Sequence, residues 1–153
     1  MADEATDIVW RGVEHDFKLR VTGAFFNEQH QVAVNVDNDH HFSALPGGKI
    51  KFGETSQVAI VREFAEEMGI HVRPVRLIAI TENLFVFSGK QTNEINFTWL
   101  VEQADQTKLF AKDAWEQTVI WRDTNDLADF KPTALQPVIR ELPTAPIHLM
   151  NQD

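Results

Sequence analysis

The chain has 153 residues, 43% of them hydrophobic and 24% charged, with a formal charge of −9 and no cysteine. That length supports one domain around a single core, and the missing cysteines exclude disulfides, zinc–thiolate sites and thiol catalysis. The negative balance argues against a nucleic-acid or anionic-membrane surface, which needs a basic patch, though not against a small anionic substrate. No run approaches the roughly eighteen apolar residues of a membrane span, and the opening MADEATD lacks the apolar core of a signal peptide. A cytoplasmic location is the resulting expectation.

Residues 1–15 read as a flexible or loosely docked leader in which Trp10 is the residue expected to pack, with 16–153 as a single domain. FKLRVTGAFF alternates and is partly β-branched, which predicts a strand. QVAVNV, after a turn at 27–30, is a second strand and its expected hairpin partner. HFSAL is a short third strand running into Pro46-Gly47-Gly48, and 49–52 is too short to assign. A helix follows over 56–68, capped by Thr55 or Ser56 and stopped by Gly69. The next run, VRPVRLIAITENLFVF, is too long for one straight strand and is expected to bend at 81–83. It pairs with NEINFTWLVE through a hairpin turn at 88–90. EQTVIW gives another strand, 126–130 a short helical piece, 133–142 a last helix containing Pro137, and the tail from Pro143 is expected to be irregular. Strands on both sides of a helix, with a second helix at the end, point to a mixed sheet covered on both faces.

The helix at 56–68 carries the chemistry. At about 100° per residue, Val58, Val61, Phe64, Ala65 and Met68 fall within an arc of roughly 120°, the expected buried face. Glu63, Glu66 and Glu67 occupy an arc of about 100° nearly opposite. Like charges three and four residues apart each cost a few tenths of a kcal/mol, and the C-terminal half of a helix disfavours anions further. Three glutamates on an amphipathic helix are ordinarily a solvated face. Here Arg62, four residues before Glu66 and within reach of Glu54, would orient the carboxylates. Gly47-Gly48 supplies backbone that can approach a ligand closely. Oxygen ligands in this number suit a hard cation, Mg²⁺ or Mn²⁺, which in turn recruits phosphate oxygens.

The run Gly48, Glu54, Arg62-Glu63, Phe64, Glu66-Glu67, Gly69, Ile70 resembles the signature of the Nudix hydrolases, GX5EX7REUXEEXGU, at every fixed position. Phe64 is the one mild departure, aromatic where an aliphatic is usual. The resemblance extends over about 18–142 through the strand holding Arg20, the LPGG turn, ENLFVFSG, NEINF and the WRDTNDLADFKPTALQPVIREL tail. It implies an α/β/α sandwich with a mixed β-sheet, and a metal-dependent hydrolase. Its substrate would be a nucleoside diphosphate linked to another moiety, cleaved by attack of water on phosphorus. Glu66 and Glu67 would be metal ligands, with Glu63 a third ligand or the group that polarises the water. The carbonyl of Gly47 or Gly48 would complete the shell, and Glu54 and Arg62 would form an ion pair that orients the ligands. For the general base the resemblance favours Glu94, with Asn93 standing where histidine is common and with Glu82 and Glu116 as further candidates.

Arg20, Lys49 and Lys51 are candidates for substrate phosphates, and Phe85 or Phe87 for stacking, against the ordinary reading of a strand phenylalanine as core. His40-His41 reads as a polar turn. The marks of several subfamilies are absent: no proline occurs between Pro74 and Pro132, and there is no tyrosine. What remains is a pool of nucleoside triphosphates, nucleotide sugars and other diphosphates. A Nudix-fold sensor that binds a nucleotide without cleaving it, and a partner-binding domain with an acidic surface, are the rival classes. A homodimer is compatible with the resemblance.

Overall fold

In the computed structural model, residues 6–105 and 118–153 are described. Nine strands and two helices follow in the order β1 (Val9–Arg11), β2 (His15–Phe25), β3 (Val32–Asp37), β4 (Phe42–Ala44), β5 (Gly47–Lys49), α1 (Ser56–Met68), β6 (Val72–Phe87), β7 (Lys90–Gln103), β8 (Thr118–Arg122), α2 (Gln136–Glu141) and β9 (Ile147–Gln152) among the described residues. The main sheet runs β1-β2-β7-β6-β9, with β5 paired to β2; a smaller sheet runs β4-β3-β8. The β2–β7 and β6–β9 pairs are parallel and the rest antiparallel, so the sheet is mixed.

The period-two alternation of the strands sorts their side chains onto two faces. Val21, Phe25 and Val101 join Ile60, Phe64 and Met68 of α1 in one apolar cluster, with Leu19, Phe97 and Trp99 packed against it. On the opposite face Ala24, Ile78 and Ala79 meet Val138 and Ile139 of α2, together with Val32 and Val34 of the smaller sheet. Helices therefore cover both faces, which is the α/β/α sandwich. The second face changes character along its length. Register places Thr22 beside Thr98, then Arg20 beside Asn96 and Thr81, then Lys18 beside Glu94 and Asn83. An apolar wall thus grades into a polar one toward the start of β2.

The cap and stop residues of α1 act as their chemistry requires. The Thr55 hydroxyl accepts from the Val58 N–H at 3.2 Å, and Gly69 adopts φ 68°. Its buried residues, however, are Ala59, Ile60, Phe64 and Met68, while Val58 is 56% and Val61 36% exposed. The sheet meets the helix on a side rotated toward its glutamates. Seven residues apart on a helix, Ile60 and Glu67 differ by only about 20° in direction, so Glu67 is drawn to the edge of the buried face.

Several expectations change in three dimensions. The β2–β3 hairpin does not form; only a single bridge, Phe26 to Val32, links the two, and β2 takes β7 as its parallel neighbour. The Asn27 carboxamide oxygen accepts from the Gln29 and Gln31 N–H groups and turns the chain away toward the second sheet. The irregularities of β6 lie at Pro74/Arg76 and Leu77/Ala79, not at 81–83, beside a proline that cannot donate to the ladder. Residues 126–130 form turns without helix. The last helix begins with a 3₁₀ turn, Thr133–Leu135, and Pro137 falls in the first turn of α2, where its missing N–H costs nothing. The tail is not irregular: β9 pairs with β6. The described part of the leader is docked, since Ile8 donates to Ile50 at 2.8 Å and β1 pairs with β2. Ile8 packs against the core there, whereas Trp10 is 59% exposed.

Candidate active site

The site begins where β5 lies antiparallel on β2, with Gly48 opposite Val21. A Cβ on Gly48 would come within 2.4 Å of the Glu63 carboxylate, and one on Gly47 within 2.0 Å of the Val21 carbonyl oxygen. Only glycines let the helix carboxylate and this backbone approach so closely. Arg62 ties the assembly together. Its Nε and Nη2 donate to the two Glu54 oxygens at 2.6 and 2.8 Å, and Nη1 donates to Glu63 at 2.8 Å and Glu66 at 3.2 Å. Nη2 also donates to the Lys49 carbonyl at 3.0 Å. These bonds occupy all five N–H donors of a guanidinium. Glu54 in turn accepts from the Lys51 N–H at 2.8 Å. Arg62 and Glu54 thus brace the loop, β5 and α1 against one another.

The other carboxylates stand differently. Burial pushes the Glu63 carboxyl above its usual range, against the pull of Arg62. Burial, with the neighbouring Glu63 charge, pushes Glu67 up to about 7, opposed by Asn35, whose amide nitrogen lies 3.5 Å from its carboxylate, and by the Gly47 N–H. Glu66 lies at the rim, its side chain 55% exposed. No three His, Cys, Asp or Glu side chains converge into a ready-made metal cluster among the described residues. The donor set nevertheless fits a hard divalent cation. Glu63 and Glu67 are oxygen donors that interact despite like charge, with the Gly48 backbone lying against Glu63 and the Gly47 N–H donating to Glu67.

Beside this pair, the polar end of the sheet opens into a cavity of about 380 Å³. Lys18, Arg20, Phe85 and Glu94 line it, and Phe42 and Phe87 contribute further walls. Glu94 is only 7% exposed, and its carboxylate faces Arg20 at 3.8 Å. The Arg20 charge also pulls on both Glu63 and Glu67, which couples the cavity to the box glutamates. Lys18 is depressed first by burial and then by Arg20, and Lys49 adds to the same repulsion.

A family model of the NUDIX domain matches residues 16–145. The chain belongs to this family. Membership with every box carboxylate retained makes it a Nudix-type pyrophosphohydrolase. It is 27% identical over 111 residues to the uncharacterised Nudix hydrolase YvcI of Bacillus subtilis, covering 71% of this chain and 68% of that one. The fold is similar to those of two MutT proteins. The one from Burkholderia pseudomallei has TM-score 0.64 at 16% identity, covering 83% of this chain and 98% of that one. The one from Bacillus halodurans has TM-score 0.63 at 17% identity, covering 86% and 89%. An ADP-ribose pyrophosphatase from Streptococcus suis gives TM-score 0.52 at 19% identity, covering 88% and 98%.

In this Nudix domain the expected residues fall into three groups. Glu54, Arg62, Glu63, Glu66, Glu67 and Gly48 come together at α1 and β5, and Arg20, Phe85 and Glu94 come together in the cavity. Lys49 lies across from Arg20 on β5. Lys51 does not line the cavity; its backbone serves Glu54 and a bridge to Asp7. Glu82 lies outside the cavity too, bonded to His148 Nε2 at 2.7 Å. Glu116 lies outside the described residues. His40 belongs to the turn, bonded to Asp37 at 3.0 Å with its ring 4.9 Å from that of Phe87. Lys18, Asn83, Lys131 and Asp153 also line the cavity and were not singled out by the sequence. Lys18 and Asn83 could have been found by stepping two residues along the strands from Arg20 and Phe85. Asp153 gave no such signal, because its strand was not foreseen. No helix among the described residues is long and apolar enough to cross a membrane.

Proposed function

We propose that this domain is a divalent-metal-dependent hydrolase acting in the cytoplasm on a small molecule, a nucleoside diphosphate joined to a further moiety. Water attacks phosphorus in the diphosphate linkage, releasing a phosphomonoester and a second phosphorylated fragment. The observation that carries this reading is the adjacency of two parts: the Glu63–Glu67 pair on the Gly47-Gly48 backbone, and a cavity with both cationic and phenylalanine walls whose Arg20 acts on both carboxylates. The −9 net charge favours a small ligand over a polyanion.

Glu63 and Glu67, with the Gly48 carbonyl and Glu66 from the rim, would hold Mg²⁺ or Mn²⁺. Such a cation neutralises phosphate oxygens and makes hydroxide available near neutral pH. The remaining work falls to the chain itself. Arg62 keeps the carboxylates on fixed axes from a rigid helix, as in-line attack requires. Arg20 and Lys18, with Lys49 beside them, bind the anionic phosphates, and Phe85 offers a flat surface to a base. Glu94, buried and facing Arg20 at 3.8 Å, accepts the proton of the attacking water as general base.

The test is release of phosphate or monophosphate from a panel of nucleoside triphosphates, nucleotide sugars, ADP-ribose and dinucleoside polyphosphates, with Mg²⁺, with Mn²⁺ and with chelator. Metal-dependent turnover of one class is expected. Silence across the panel, with binding still detected by thermal shift, would replace the hydrolase by a sensor.

A further inference from the structure

The smaller sheet turns one face toward both parts of the site. Residues alternate along β3: Val32, Val34 and Val36 join the apolar cluster that includes α2, whereas Ala33 joins that of α1, with Val119 and Trp121 of β8 packed against it. Asn35 follows Ala33 on the same face, in register with Val119 on one side and Ala44 of β4 on the other. Ala44 lines the cavity, as does Phe42. Asn35 therefore stands on the seam between the stretch of sheet that packs on the box helix and the stretch that walls the cavity. Its neighbours on that face are apolar and asparagine is a poor strand former, so packing does not account for it.

Its contacts do. The amide nitrogen lies 3.5 Å from Glu67 Oε2, and the amide oxygen is buried with no hydrogen-bond partner among the described residues. With the carboxylate ionised, the reverse orientation would set oxygen against oxygen, so NH₂ is the end that faces Glu67. The second donor to Glu67 is the Gly47 backbone N–H on β5. Both donors are neutral, and they reach the carboxylate from two different sheets. A guanidinium at this position would neutralise Glu67, as Arg62 does Glu54, and would compete with a metal ion. An amide orients the carboxylate and leaves its charge in place.

The buried oxygen gives the same residue a second function. An acceptor shut away from solvent without a donor destabilises the fold, and such a group calls for an explanation. It belongs to a residue beside glutamates that, when ionised, can only accept. A hard divalent cation keeps several of its waters when bound through few carboxylates, and each of those waters is a donor. We infer that Asn35 is a positioning residue of the metal site: it holds the Glu67 carboxylate through its NH₂ and accepts from a water of the bound cation through its oxygen. The inference rests on the metal reading above and extends it from the helix and β5 to the smaller sheet.

Mn²⁺ titrated into the substrate-free protein, with the unbound ion counted by electron paramagnetic resonance, reads affinity without turnover. Asn35→Leu keeps the approximate volume and removes both ends of the amide. It is expected to weaken Mn²⁺ binding about tenfold, while the metal-free melting temperature holds or rises because an unpaired acceptor is gone. Asn35→Ala should behave in the same way and serves where Asn35→Leu does not fold. Asn35→Gln, with an amide on a longer stem, should recover part of the affinity. Mn²⁺ affinity within about twofold of the parent in Asn35→Leu and Asn35→Ala would overturn the assignment. A metal-free melting temperature that falls in both variants, in step with the affinity, would make Asn35 a structural residue instead. These failures are separable from failure of the metal reading. Tight Mn²⁺ binding by the parent that survives Asn35→Leu sinks only the role of Asn35, while a parent that binds Mn²⁺ no better than Glu67→Gln sinks both.

Discussion

Glu54 lies just before α1 and Glu67 in its last turn, and their surroundings drive them in opposite directions. Glu54 receives both arms of the Arg62 fork, and those bonds hold its carboxyl below the usual range despite partial burial. Glu67 is buried beside another carboxylate, and its best donor is Asn35 at 3.5 Å, so it rises to about 7. The first is satisfied by the protein and acts as a brace. The second is left with unused capacity for charge, which is what the proposed role of holding a cation requires. A ligand is recognised here less by its residue type than by what the protein declines to give it.

The largest effect expected from breaking this contrast is on turnover. Glu67→Gln should lower kcat by orders of magnitude while the metal-free protein remains folded or gains slightly, because a like-charge contact is lost. Steady-state kinetics beside a thermal melt would decide. Activity within a few-fold of the parent would remove Glu67 from the metal site, and wholesale unfolding would make it a structural ion.

Arg62→Ala attacks the other side. It leaves Glu54 partly buried without its counter-ion and should cost about 2–4 kcal/mol in a denaturant titration. Arg62→Lys should recover only part of this, since an ammonium cannot form the bidentate pair.

The pH dependence sharpens the comparison. Glu67 has a folded-state pKa raised above its unfolded value, so its contribution is fully present below the unfolded range near 4.5 and is lost as pH rises through about 7. Metal-free protein should therefore lose stability between those limits, by roughly 1–3 kcal/mol, and Glu67→Gln should flatten that part of the profile. Glu54, being lowered, acts with the opposite sign: its contribution is present above the unfolded pKa and is lost on acidification through its folded pKa.

The smallest effect belongs to Glu66. Its side chain is 55% exposed and its Arg62 contact is one of five, so Glu66→Gln should alter metal-free stability by less than about 0.5 kcal/mol. Its effect on the Mg²⁺ concentration needed for half-maximal turnover should exceed anything seen in the melt.

What the sequence disclosed follows the range of the forces concerned. The bounds of α1 were legible because Thr55 and Gly69 act within one turn of the residues they cap. The Ser88-Gly89 turn was legible for the same reason, and it adopts φ of 52° and 78°. The Arg62–Glu54 brace and the box carboxylates lie within 48–70, so their spacing could be read directly. The buried face of α1 could not be read from its own residues, since the approach direction of β2 and β7 decides which side is covered. The partner of β2, the strand β9 and the Asn83–Asn151 contact depend on pairings between distant segments. Alternation says that a strand exists without saying what it meets. Asn83 and Asp153 accordingly looked like ordinary polar residues until β9 placed them together.

The parallel pairing of β2 with β7 also bears on the order in which the molecule assembles. The Thr22–Thr98 contact closes 76 residues of chain, whereas β6 and β7 meet across a tight turn. Closing long loops is entropically slow compared with zipping a hairpin. The β6–β7 ribbon and α1 can form from nearby residues, but Lys18 and Arg20 reach Glu94 only when β2 docks. On loop-closure grounds the box helix is expected to form before the cavity beside it closes. A nascent chain would carry its acidic helix for some time before the cavity beside it was complete.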